Sequence, residues 1–156
     1  MDQLYPSFDA PELMADEMIE NLEEVHAYKF DHEKEKLVVT GTGKALKGTP
    51  LEAYRFWAVK CMLTERYQYA AYGSDFGIEF QKIMEADYPI AIAESEIKRT
   101  ISEALMVDDR TVSATSFKFD WEGDSCWITF ILESVYGVDY VDIQRGGELS
   151  GRIRAA

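Results

Sequence analysis

Histidine and cysteine are scarce in this chain. Its 156 residues include two histidines, His26 and His32, and two cysteines, Cys61 and Cys126. A zinc site needs three or four His, Cys or carboxylate ligands at set spacings, and nothing completes a set around the two histidines. A Ser–His or Cys–His catalytic pair is equally hard to build. The cysteines sit in apolar stretches and are expected as buried free thiols of a protein made in a reducing cytoplasm. Long apolar runs are missing too. No stretch approaches the roughly 20 residues that span a bilayer, and no charged-then-apolar leader pattern opens the chain. Cations are in short supply: 16 Lys and Arg stand against 29 Asp and Glu, for a net charge of −13. Such a chain repels nucleic acid and anionic lipid, so neither is expected as a partner.

What is present suffices for one folded domain. Hydrophobic residues make up 47% and aromatics 13%, enough for a core in a chain of this length. Charge is unevenly spread. Residues 1–24 hold eight acids and no Lys or Arg, and residues 144–156 hold three arginines and one acid. These ends read as an acidic N-terminal arm, 1–24, and a C-terminal arm, 138–156, flanking a single domain over 25–137. The C-terminal arm is expected to be dispensable for folding.

Within the domain, "HAYKFDHEKEKLVVTGTG" (26–43) alternates around a polar turn and reads as a hairpin. "TPLEAYRFWAVKCMLTE" (49–65) opens with a helix start: Thr49 as N-cap, Pro50 in the first turn, Glu52 closing a capping box. "SDFGIEFQKIM" (74–84) is expected as a short helix capped by Ser74 or Asp75. In "YPIAIAESEIKRTISEALMV" (88–107), Ile90, Ala93, Ile97, Ile101, Ala104 and Leu105 form one stripe at helical period. Glu94 and Lys98 are spaced for an i,i+4 pair on its polar face. Two strands follow, 111–121 and 125–137, joined by the turn "EGD". The second carries apolar residues on both faces: Cys126, Ile128, Phe130 and Leu132 on one, Trp127, Ile131 and Val135 on the other. That pattern marks an interior strand, or a face kept for a partner. The class is α+β, an antiparallel sheet with helices mainly on one side, flanked by extended N- and C-terminal arms.

No catalytic set emerges. "GSDFG" (73–77) lacks the spacing of a nucleophile elbow, and "GTGKALKG" (41–48) lacks the order of a phosphate loop. Glu94, Glu96 and Glu103 read as a solvated helix face, not as a glycosidase pair. No cofactor or metal is expected. A folded acidic domain with charged arms and a two-sided apolar strand suits an assembly component. One local rule is broken. "DDR", Asp108 to Arg110, places acids just past a helix C-terminus, where they cost about 0.3–1 kcal/mol each. The bland reading is an Asx-turn with an intrachain Asp–Arg pair; the other is a docking motif whose acids meet a partner's cations.

Three segments in order, "TERYQYAAYGSDFGIEF" (64–80), "AESEIKRTISEALMVDDRTVSATSFKF" (93–119) and "GDSCWITFILESVYG" (123–137), resemble the XkdS-like baseplate proteins of contractile phage tails and tailocins. These in turn are similar to the wider sheath-initiator family, long labelled lysozyme-like. That old label leaves a cell-wall hydrolase of the tail as the alternative function. The wider family carries Glu-Pro-Arg just after its long helix; here Asp108, Asp109 and Arg110 stand there, with the arginine kept, the first acid shortened and the proline replaced. The resemblance implies a non-enzymatic baseplate wedge component. Asp108, Asp109 and Arg110 would dock on the helical bundle of the wedge proteins, and the sheet would pair with the first ring of sheath protein. It also implies six copies in a ring around the tail tube and hub, in a tail particle assembled in a bacterial host. Trp127, Ile131, Val135 and Tyr140, with Arg145, Arg152 and Arg154, are the residues expected to face sheath or neighbouring subunits. Arg110 is expected to be exposed, so that reversing its charge spares the fold.

Overall fold

A computed structural model describes residues 28–156 apart from 32, 33, 35 and 148. The acidic segment 1–24 and both histidines lie outside the described residues. The described residues form nine elements. A minimal hairpin, β1 (Phe30–Asp31) and β2 (Lys36–Leu37), pairs antiparallel. Helices α1 (Pro50–Leu63), α2 (Phe80–Glu85) and α3 (Ile90–Leu105) follow. Then come four strands, β3 (Thr111–Glu122), β4 (Ser125–Ser134), β5 (Gly137–Arg145) and β6 (Ser150–Ala155). They form one antiparallel sheet in the order β3-β4-β5-β6. The expected class, α+β with an antiparallel sheet and helices on one side, is what the chain adopts.

The start of α1 is made as its sequence dictates. Thr49 Oγ1 accepts from the Glu52 N–H at 3.3 Å, and Glu52 returns a carboxylate oxygen to the Thr49 N–H at 2.8 Å. Helix α3 buries Ala93, Ile97, Ile101, Ala104 and Leu105, while Ile90, in its first turn, is exposed. Its polar face pairs differently from expectation. Glu94 accepts from the indole N–H of Trp121 at 2.9 Å, Lys98 lies over the Phe117 ring, and Arg99 bridges Glu96 and Glu103. Aromatic groups on β3 outcompete the local pair. The short helix begins at Phe80, not Ser74, because Gly77 sits at φ +95°, outside helical backbone geometry. A Cβ there would lie 2.7 Å from the Thr64 carbonyl oxygen, so the stretch turns instead of coiling.

Strand β3 carries two register breaks, between Thr111 and Ser113 and between Thr115 and Lys118. Ser116, at φ +58°, sits in the second. The bulge lets Ala114 and Phe117, three apart, both turn toward the core, where Phe117 stacks on Phe130 at 4.7 Å. Strand β4 is interior, and its Cys126, Ile128, Phe130 and Leu132 are buried against α1 and α3. Burying such a side chain contributes about 1.5–3 kcal/mol each. Cys61 and Cys126 are buried free thiols; burial raises the pKa of Cys61 and pushes that of Cys126 up to about 12.

The C-terminal stretch differs from its expected form. Within 138–156, residues 138–145 and 150–155 are extended, but they belong to the third and fourth strands of the sheet rather than to an arm. Strand β5 sends Asp139, Val141, Ile143 and Arg145 into the buried side. Asp139 is held by Arg55 of α1, whose Nε and Nη2 donate to its two oxygens at 3.0 and 2.5 Å. This fork fastens β5 to the helix layer. Arg55→Ala leaves a buried carboxylate without its cation, so the expected cost is about 3 kcal/mol, at the low end for breaking a buried pair. Urea denaturation checks it.

Candidate docking surfaces

The acid–acid–arginine turn is built from the end of α3. The chain leaves the helix at Met106, and Asp108 lies three residues beyond Leu105. Asp108 Oδ1 accepts from the Arg110 N–H at 3.0 Å, an Asx-turn, and from Arg110 Nε at 2.8 Å. Its Oδ2 accepts from Nη2 at 2.6 Å. The guanidinium also lies over the ring of buried Tyr54, 5.2 Å from its centroid, with Tyr136 beside it. Hydrogen bonding from Arg110 holds the Asp108 carboxyl below its ordinary range, and Asp108 in turn raises Arg110. So the intrachain pair exists, and it offsets the cost of an acid near the helix end. Arg110 is part-buried rather than exposed as expected, because one face lies on Tyr54. Asp109 alone of the three points to solvent. Around this turn Met106, Val107, Val112, Val135, Tyr136 and Val138 are all exposed. Val135 belongs to this end: its N–H donates to the Arg110 carbonyl at 2.9 Å.

The face of the sheet away from the helices carries most of the remaining predicted residues. Trp127 and Ile131 of β4 stand beside Gln144 and Tyr140 of β5. Tyr140 and Asp142 stand opposite Arg154 and Arg152 of β6. Arg154 pairs loosely with Asp142 at 3.5 Å. No element of the described residues covers this face. It brings together Trp127, Ile131, Tyr140, Arg152 and Arg154, and it leaves Val135 in the β4–β5 turn.

Arg145 departs from its expected place. Its side chain enters the helix side of the sheet, 5% exposed as a residue, where Nη2 donates to Glu65 at 2.6 Å and Nη1 to the Leu63 carbonyl at 2.7 Å. Burial lowers the pKa of Arg145 and raises that of Glu65, and each partner's charge opposes the other's shift. Its expected role toward a neighbour's acidic surface is therefore excluded by burial. The residues missed by sequence reasoning are Arg145's partner Glu65 and the Tyr54–Tyr136 seat of Arg110; such pairs join distant segments and leave no local signal.

The two edges of the sheet are unlike. The β3 edge is broken by its bulges, whereas β6 pairs with β5 without interruption over Ser150–Ala155. The Ala156 N–H donates to Val138. By antiparallel alternation, Ser150, Arg152 and Arg154 then bond to β5, while Gly151, Ile153 and Ala155 present N–H and C=O groups outward. Among the described residues, no three His, Cys, Asp or Glu side chains converge as a metal site requires.

The sequence profile described as contractile injection system sheath initiator matches residues 26–137. The chain belongs to the sheath-initiator family. It is also similar to the phage-like element PBSX protein XkdS of Bacillus subtilis (strain 168). The two are 33% identical over 119 residues, 76% of this chain and 80% of that protein. As a sheath initiator, the chain is a structural component of a contractile tail. The family match ends at Gly137, the first residue of β5, so the rest of β5 and all of β6 lie beyond it although they complete the sheet.

Proposed function

We propose that this sheath initiator is a non-enzymatic baseplate component that joins the wedge to the sheath. Its turn end, Asp108 to Arg110 with the surrounding exposed apolar residues, docks on the wedge helical bundle. The rest of the sheet meets the sheath protein, with six copies ringing the tail tube and hub in the tail particle. The observation that carries this reading is the β6 edge. A regular, unbulged edge strand is a template for another chain's strand, and proteins usually blunt such edges unless they are used. The β3 edge is blunted by bulges and β6 is not. Here main-chain bonds supply affinity, while the Trp127, Ile131 and Tyr140 face, flanked by Arg152 and Arg154, meets the adjoining subunit.

Ala155→Pro tests this. Position 155 points its N–H away from β5, so proline removes an outward donor and leaves the fold intact. Thermal melting should change little. Particles assembled with the variant should show tubes on baseplates and largely lack sheath. Full-length sheaths at normal frequency would remove β6 from the proposal.

A further inference from the structure

Beside the outward edge of β6 lies a pocket of about 330 Å³. Among the described residues, Phe56, Val59 and Leu63 on one flank of α1 form its apolar wall. Phe30 of β1, Leu149 of the β5–β6 turn and Gly151 of β6 complete it. The pocket opens to solvent, since Phe30, Phe56 and Leu63 are half-buried and Leu149 is 50% exposed. The rings of Phe30 and Phe56 pack together with centroids 4.9 Å apart, so part of the wall is aromatic.

Gly151 explains why β6 sends no side chain into this space. Strand pairing sets it opposite buried Ile143, on the helix side of the sheet. A Cβ there would lie 2.9 Å from Val59 Cγ1 and 3.4 Å from Leu63 Cδ1, so even alanine would push the α1 side chains aside. A glycine inside a strand often marks such a close approach, and it weakens the strand because it has nothing to pack. Gly151 also turns its N–H and C=O to the outward edge of β6. Residues directly opposite one another in an antiparallel pair share a face. The residue that an added strand sets opposite Gly151 therefore projects to the helix side, past a backbone without a Cβ and toward the pocket. A ring laid over an edge glycine supplies the cross-strand contact that the glycine lacks. Phe30 and Phe56 give that ring aromatic partners.

We infer that this pocket is the specificity site of the β6 edge, and that it receives an aromatic side chain from the added strand's residue opposite Gly151. The inference rests on the proposed pairing of β6 with a sheath strand and names the residue by which that strand is chosen. Main-chain bonds alone accept many sequences, and side-chain pockets beside the edge select among them. The ring also sets the register, because a slip of one residue turns it to the opposite face of the sheet.

The test uses intact particles assembled with a diazirine analogue of leucine at position 149, which keeps the side chain's size. Irradiation should cross-link this chain to a sheath segment, beside an aromatic residue. Replacing that residue with alanine in the sheath protein should cut the fraction of sheathed tubes at least about tenfold, whereas a different aromatic residue should keep it. Leu149→Asp, a change at an exposed position, should melt like the wild type and lower the sheathed fraction similarly. Ala155→Pro separates the pocket from the pairing beneath it. If Ala155→Pro strips the sheath but the cross-link lies away from any aromatic residue, reaches no other chain, or joins only residues 1–27 of this chain, the pocket assignment falls and the edge stands. The same holds if the alanine replacement or Leu149→Asp leaves sheaths at normal frequency. If Ala155→Pro particles carry normal sheaths, both fall together.

Discussion

A chain ending at Gly137 is expected not to fold. Such a truncation removes Val141 and Ile143 from the core, worth about 3–6 kcal/mol together. It also leaves Arg55 without Asp139 and Glu65 without Arg145, and it turns interior β4 into an exposed apolar edge. Against a total stability of about 5–15 kcal/mol these losses exceed what one domain can absorb. Circular dichroism and urea unfolding of the shortened chain should show no cooperative transition. A truncated protein with native-like melting would show that β5 and β6 are appended rather than integral. The expectation reverses the one from sequence, in which 138–156 is a removable arm.

Arg110→Glu carries the second large effect, on both folding and docking. The substitution sets a carboxylate against Asp108 in a part-buried turn and strips the cation from the face of Tyr54. The expected destabilisation is about 2–4 kcal/mol, somewhat below the cost of breaking a fully buried pair. Arg110→Lys keeps the charge but loses the two-pronged fork, and should cost less. The pH dependence follows from the lowered Asp108 pKa. A depressed carboxyl adds stability above its unfolded value, and that contribution is lost as pH falls through the folded value. In acid the gap between wild type and Arg110→Glu should therefore shrink. Asp109→Lys separates folding from docking, because Asp109 points to solvent. Its melting should match wild type, while incorporation into particles should fall. Normal incorporation of Asp109→Lys would remove that residue from the docking surface.

Much of the fold was legible in local pattern. The capping box of α1, the stripe of α3 and the β3–β4 hairpin each depend on residues within a few positions of one another. Strands β5 and β6 were not legible as part of the sheet, for a physical reason. The inward face of β5 reads Asp139, Val141, Ile143, Arg145, so two of its four core positions are charged. Their partners, Arg55 and Glu65, lie 84 and 80 residues away. No local rule pairs charges at that distance, so the stretch looked like a polar arm. The turn at Asp108 was half legible. Its local chemistry allowed the Asx-turn and the Asp–Arg fork, but the ring of Tyr54 beneath Arg110 comes from another element. The exposed sheet face was legible because β4 is apolar at alternate positions on both sides, more than one helix layer can cover.

The central claim is that this sheath initiator sits where baseplate and sheath meet. A cryo-electron microscopy reconstruction of the intact particle containing this chain tests it most directly. The account predicts six copies at the base of the first sheath ring. Each should hold a sheath strand along the β6 edge and have its Asp108–Arg110 turn against a wedge helix. Copies elsewhere in the particle, or copies at that ring whose β6 edge remains unpaired, would contradict it.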